Sequence, residues 1–297
     1  MSKNRHTEVT AVPFRASIGA PHGVEVMDFA GLLARAHGHG IDPSGPLRPA
    51  FHHLVTVRSG TLRYALDFTE HTLSEGAWLW ARPGQILQYG PELTEAHGTV
   101  VLFQPGFLST PTAEATRTDQ LAAGQPLIPQ TDYERQTLRH MLDLLEREHQ
   151  RHDDLPPDVH IEVVRHLLAA LVLRLAHLNG PLPGDVPGNE AYRRLQQAVE
   201  RDFARTHRVE DYAKQLGYSV RTLTRATRAA TGSGAKQMID DRVLLEAKRL
   251  LVHTDLSSTA VAERLGFPGS TVFTRFFRQR TGDTPTAFRS RARGNLR

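Results

Sequence analysis

The sequence predicts an α+β multidomain chain: an N-terminal β-barrel, a helical hairpin after it, and a C-terminal all-α domain with two helix-turn-helix units. Three observations carry that prediction. Short β-branched and aromatic runs punctuated by Gly and Pro fill residues 54–103. Helical periodicity replaces them from residue 133 to about residue 178. The last third is basic and repeats itself at an offset of 49–50 residues.

Composition bounds the reading. A chain of 297 residues with 39% hydrophobic and 23% charged residues can bury two globular cores. Its apolar runs are broken by charge within a few residues, so no membrane span is expected. The opening MSKNRHTEVTAVPFRAS lacks the apolar stretch of a secretory signal, and a cytoplasmic location is the expectation. With no cysteine, disulfides, thiolate metal sites and a cysteine nucleophile are excluded.

Taken in order, strands are expected at about residues 54–58, 62–68, 71–73, 77–82 and 99–103, with turns at Ser59-Gly60, Glu75-Gly76 and Pro83-Gly84. Such spacing fits a sandwich or small barrel, assigned to residues 1–130, with an aperiodic break over 109–130. The stretch YERQTLRHMLDLLEREHQ places Leu138, Met141, Leu142 and Leu145 on one helix face. The stretch DVHIEVVRHLLAALVLRLAHL does the same with Val164, Leu167, Leu168, Leu171 and Leu175. RHDDLPPD, with Pro156 and Pro157, divides the two helices into a hairpin over 131–180. Two readings of that hairpin stay open: packing on its own barrel, and a homodimer interface. On the second, charging Leu142 or Leu171 releases monomers. The Pro- and Gly-rich segment NGPLPGDVPGNE then supplies a linker at 181–189.

Charge switches at this linker. Residues 1–188 hold 15 Lys/Arg against 21 Asp/Glu, whereas 189–297 hold 21 against 11. A basic third on an acidic remainder points to a polyanionic partner, against a merely solvated basic surface. Within 190–297, AKQLGYSVRTLTRATRAATG from Ala213 answers AERLGFPGSTVFTRFFRQRTG from Ala262. Each copy reads as a short helix, a turn at Gly217 or Gly266, and a second helix ending at Gly232 or Gly282. Ser219 is the expected N-cap of the first of these second helices. AKQMIDDRVLLEAKRLLVHT, with Ile239, Val243, Ala247 and Leu250 on one stripe, joins the copies as one helix. About 18 residues of helix span about 27 Å, which suits two reading helices set about one DNA turn apart.

Each second helix should divide into two faces. Leu223 and Ala226 in the first, and Phe273, Phe276 and Phe277 in the second, point to the core. Arg221, Thr224, Arg225 and Arg228, and Ser270, Thr271, Thr274, Arg275 and Arg278, face out toward double-stranded DNA. Arginine can grip guanine O6 and N7 bidentately, and threonine can touch a thymine methyl. For Arg228, Arg278 and Arg280, farther along, phosphate or solvent is the expected partner.

These residues carry a resemblance. Residues 190–291 resemble the double helix-turn-helix DNA-binding domain of the AraC/XylS family of bacterial transcription regulators, most specifically in AVAERLGFPGSTVFTRFFRQRTGDTPTAFR and in EAKRLL of the connecting helix. The resemblance implies base contacts from Arg221, Thr224 and Arg225, and from Ser270, Thr271, Thr274 and Arg275. In GSGAKQM, Ala235 stands where the second copy has Pro285, a change at a helix start. Residues 20–110 resemble, more loosely, the cupin-type sensor domain of the same family through RPGQILQYG and VVLFQPGFL. That likeness implies an effector site with Tyr89 as a contact. Trp80, sharing a strand face with Trp78, and His53 are further effector candidates, for a sugar or aromatic compound; core packing is the plainer reading of both tryptophans.

No cofactor or metal is expected. Adjacent His52 and His53 point to opposite faces of a strand and cannot ligate one ion together. Leu87 and Gln88 stand after Pro83-Gly84, where a metal-binding cupin has a later histidine. The expected function is therefore a sequence-specific, non-enzymatic transcriptional regulator controlled by a small-molecule effector, with promoter DNA, a second copy and, for an activator, RNA polymerase as partners. The competing classes are a metal-dependent cupin enzyme fused to a DNA-binding domain, and an architectural DNA binder of low specificity.

Overall fold

The computed structural model describes residues 9–17, 21–116, 125–151, 155–178 and 190–295. The expected linker at 181–189 lies outside them. The described residues form two compact units, one ending at residue 178 and one starting at residue 190.

The first unit contains β1 (Thr10–Val12), β2 (Val24–Asp28), α1 (Phe29–Gly38), β3 (Leu47–Pro49), β4 (His52–Ser59), β5 (Leu62–Leu66), β6 (Thr69–Leu73), β7 (Trp78–Ala81), β8 (Leu87–Tyr89) and β9 (His97–Phe103). The five strands expected from the sequence are β4, β5, β6, β7 and β9, and glycines 60, 76 and 84 take left-handed backbone at the three expected turns. Of the other four strands, β1, β3 and β8 have three residues each, too short for alternation to register, and β2 has five. Helix α1 starts at Asp28, whose carboxylate accepts from the Gly31 N–H at 2.7 Å. In the break over 109–130, α2 (Thr110–Thr116) is a short helix.

The expected closed barrel is corrected to a sandwich. One sheet runs β2-β9-β4-β7 and the other β1-β3-β8-β5-β6, and no strand ladder joins them among the described residues. They are held by packing instead: Val55, Leu79, Val100 and Leu102 of the first sheet share a core with Leu62, Leu66 and Leu87 of the second. The opposite face of the four-stranded sheet is also covered. Leu54, Trp78, Trp80, Val101 and Phe103 pack under the hairpin of α3 (Asp132–Gln150) and α4 (Pro157–Ala176). Helix α3 opens with a capping box, in which Thr131 and Glu134 each accept the other's backbone N–H at 3.1 Å.

This packing decides where the leucine stripes go. Leu138, Leu142, Leu145, Val164, Leu168, Leu171 and Leu175 are buried in the chain's own core against the sheet. The expectation that charging Leu142 or Leu171 separates two copies is therefore corrected, because both side chains are at most 2% exposed within one chain. Leu142→Asp buries an unpaired carboxylate and should cost the first unit more than about 4 kcal/mol. Circular dichroism and sedimentation should show lost structure; a folded monomer arising from a wild-type dimer would contradict this placement.

The second unit is all-helical: α5 (Glu190–Asp202), α6 (Val209–Leu216), α7 (Val220–Thr231), α8 (Ala235–His253), α9 (Ser258–Arg264), α10 (Ser270–Thr281) and α11 (Pro285–Asn295). The repeat is legible in the backbone. Tyr218 N–H donates to Ala213 O at 3.0 Å, and Phe267 N–H to Ala262 O at 2.9 Å. Gly232 and Gly282 both close their helices in the left-handed conformation. Helix α8 begins at Ala235 as α11 begins at Pro285, so the missing proline leaves the helix start in register. One core runs through the unit, joining Tyr212, Leu223, Ile239, Val243, Val261, Phe273 and Phe277.

Candidate nucleic-acid interface and ligand cavity

Helices α7 and α10 each set one face into this core and turn the other outward. Leu223 and Thr227 of α7, and Phe273 and Phe277 of α10, are fully buried. Ser219 caps α7, its hydroxyl accepting the Thr222 N–H at 3.0 Å. Spacings of four and three residues then align Arg221, Arg225 and Arg228 on one exposed stripe, and Thr271, Arg275 and Arg278 on the other. Thr224, Ser270 and Thr274 are half-buried beside them. Ser270, Thr271, Thr274, Arg275 and Arg278 line a single surface groove with Gln279. The sequence reading missed Gln279, although its place four residues after Arg275 puts it on the same stripe.

Electrostatics separate these arginines from the rest of the unit. Neither α7 nor α10 contains a carboxylate. Most of the unit's other arginines find acids: Arg194 with Glu190, Arg201 and Arg205 with Asp202, Arg208 with Glu210, Arg242 with Glu200, Arg249 with Glu246 and Arg291 with Asp283. Arg221, Arg225, Arg228, Arg275 and Arg278 have no such partner among the described residues. Unpaired guanidinium groups in two exposed rows form a positive surface suited to a polyanion.

Arg280 departs from the sequence reading. It turns inward to the buried carboxylate of Asp240, which also pairs with Lys236, and its guanidinium lies 4.1 Å from the Phe276 ring centre. Phe276 is itself half-buried against Phe267. Nearby, His207 meets the Leu265 carbonyl at 2.7 Å, and burial holds its imidazole below its ordinary pKa. Arg280 thus fastens α10 to the first turns of α8. No local pattern announces a pairing across 40 residues. A double-mutant cycle of Asp240→Asn and Arg280→Gln should give a coupling of about 1–3 kcal/mol in unfolding; additive losses would show that the two side chains act separately.

The first unit holds a cavity of about 220 Å³ beside β1 and α1, with Leu47, Phe51, His53, Tyr89 and Leu102 in its wall. Two of the three expected effector residues, His53 and Tyr89, meet there. Trp80 does not. It faces the hairpin side of its strand, under the Arg82 guanidinium at 3.2 Å, because alternate residues of β7 serve different cores. His52 and His53 diverge in the same way, with His52 stacked on Phe103 at 4.4 Å. Burial drives the His53 imidazole down to about 3 and raises the Tyr89 phenol above its ordinary range, so both are neutral at pH 7.

A β-sandwich with a cavity beside β1 and α1, followed by a helical unit that carries two helix-turn-helix repeats, defines a two-part chain. Sequence comparison agrees. The profile of the AraC-like ligand binding domain matches residues 26–161, and that of a helix-turn-helix domain matches residues 212–291. The chain belongs to the AraC family of regulators. It is 30% identical over 154 residues to the HTH-type transcriptional activator RhaS of Salmonella schwarzengrund, covering 52% of this chain and 54% of that one. It is 28% identical over 101 residues to the HTH-type transcriptional regulator ExsA of Pseudomonas aeruginosa, covering 34% and 36%. The matches thus span about a third to a half of these curated relatives. Among solved structures, ToxT from Vibrio cholerae aligns over 81% of this chain and 89% of its own, at 11% identity and a TM-score of 0.40.

Proposed function

We propose that this chain is a sequence-specific DNA-binding transcriptional regulator whose promoter activity responds to a small molecule held in the first unit. The observation that carries the reading is the double row of unpaired arginines on α7 and α10, within a unit whose other arginines are mostly matched by acids. Residues 190–297 are the DNA-binding domain, and the cavity beside His53 and Tyr89 is the effector site. The chain acts as a cytoplasmic homodimer, with RNA polymerase as a further partner at activated promoters, and carries no enzymatic activity. A ligand shifts output by favouring one arrangement of the DNA-binding units over another. The divergence of His52 and His53 favours a sensor over a metal-dependent cupin enzyme.

Binding-site selection on random duplexes tests this directly. The full chain should enrich a bipartite motif with half-sites about 10 base pairs apart, and affinity should fall steeply with salt as counterions are released. Equal retention of all sequences would make the protein an architectural binder instead.

A further inference from the structure

Another pocket, of about 290 Å³, opens on the flank of α10, between that helix, the turn before it and the first turns of α8. It shares Arg275 and Gln279 with the reading groove, so the two depressions meet along one edge of the helix. A helix lying in the major groove is flanked by the sugar–phosphate backbone. DNA seated in the groove therefore brings its backbone to the mouth of this pocket.

Charge in the pocket is unbalanced. Lys236, Arg275 and Arg280 line it with a single carboxylate, that of Asp240. Asp240 is 2% exposed, and its oxygens are divided: one meets the Lys236 ammonium, the other the Arg280 guanidinium. The two cations differ in how firmly they are held. Arg280 is stacked on Phe276 with its side chain 22% exposed, whereas the Lys236 side chain is 56% exposed. An ammonium has three donors, so one given to Asp240 leaves two. The flexible four-carbon stem lets Lys236 reach a second anion without leaving the first. His207, on the same wall, meets the Leu265 carbonyl at 2.7 Å, and burial lowers its pKa so that it is uncharged at pH 7. Lys236 is thus the pocket's exposed cation on the side away from Arg275.

We propose, resting on the reading of α7 and α10 as DNA-reading helices, that this pocket seats one phosphate of the DNA backbone. Lys236 of the connecting helix holds it, at the border of the half-site that α10 reads. Such a contact fixes register without reading sequence, so α8 sets where α10 lies while Arg275 reads bases. A methylphosphonate scan, which makes each phosphate of the selected duplex neutral in turn, tests this on the full chain. For the wild type, one neutral phosphate bordering the half relaxed by Arg275→Ala should cost about tenfold in affinity. Lys236→Gln and Lys236→Met should bind that duplex as well as the unmodified one, with the salt slope lowered by about one and the selected sequence unchanged. Lys236→Arg, which keeps the charge, should keep the penalty. Thermal melting should show the neutral variants folded, because Arg280 remains on Asp240. Equal penalties at every phosphate in the wild type and both neutral variants, on a duplex all three still select, overturn the pocket and leave the DNA-binding reading standing. A wild type that selects no sequence overturns that reading and this assignment with it. Saturable heat on titrating inorganic phosphate alone, lost in Lys236→Gln while the penalties stay equal, makes the pocket a free-anion site and overturns its assignment to DNA.

Discussion

Gly266→Ala should destabilise the DNA-binding unit by about 3–5 kcal/mol, whereas Gly217→Ala at the matching turn of the first repeat should cost about 1–2 kcal/mol. Both glycines sit in left-handed backbone, with φ of 75° at Gly266 and 72° at Gly217, so both substitutions carry conformational strain. Their surroundings differ. A methyl group on Gly217 meets nothing within 4 Å, whereas one on Gly266 falls 2.3 Å from the Ala204 carbonyl oxygen. That oxygen belongs to backbone between α5 and α6, which cannot step aside as the end of a flexible side chain can. The second turn is thus wedged against the loop that leads into the first helix-turn-helix. Urea unfolding of the full chain, followed by helical circular dichroism, measures the difference. Equal losses in the two variants would sink the argument from close approach.

The contrast shows what a sequence can and cannot say about this chain. The repeat aligns Gly217 with Gly266 and makes them look equivalent; the distance to Ala204 is a tertiary fact with no local signature. The same holds along α10. Periodicity separates Phe273 and Phe277 from Arg275 and Arg278, because one turn of helix fixes which residues share a face. It cannot separate Arg278 from Arg280, whose different fates depend on Asp240 in another helix. In the first unit, β4, β5, β6, β7 and β9 were legible from their β-branched and aromatic runs between turn residues, while three-residue β1, β3 and β8 and five-residue β2 were not. The neutral pair at the cavity was half legible. Tyr89 and His53 were singled out separately, but only the pairing of β8 with β5, and of β4 with β7 and β9, sets the strands that carry them into one sandwich. Trp80 was misplaced because choosing a strand's inner face requires knowing which face the hairpin covers.

Arg225→Ala and Arg275→Ala should each weaken the selected site by about 1–3 kcal/mol and relax base preference in one half of it only. Both arginines are exposed in the first half of a helix whose opposite face is locked into the core, and neither has an acid to draw it away. The two altered positions should lie about 10 base pairs apart, since the two reading helices enter successive turns of the groove. Arg228→Ala and Arg278→Ala, farther along the same stripes, should weaken specific and random DNA alike and lower the salt slope by about one. Arg280→Ala supplies the decisive contrast. It removes a charge two residues from Arg278, yet its guanidinium is held by Asp240 and stacked on Phe276. Its expected signature is a lower melting temperature with the salt slope unchanged. Site selection and salt titration on the five variants distinguish these three behaviours. An unchanged consensus for Arg275→Ala would reduce that residue to a phosphate contact, and a lower salt slope for Arg280→Ala would mean that the Asp240 clamp opens when the protein meets DNA.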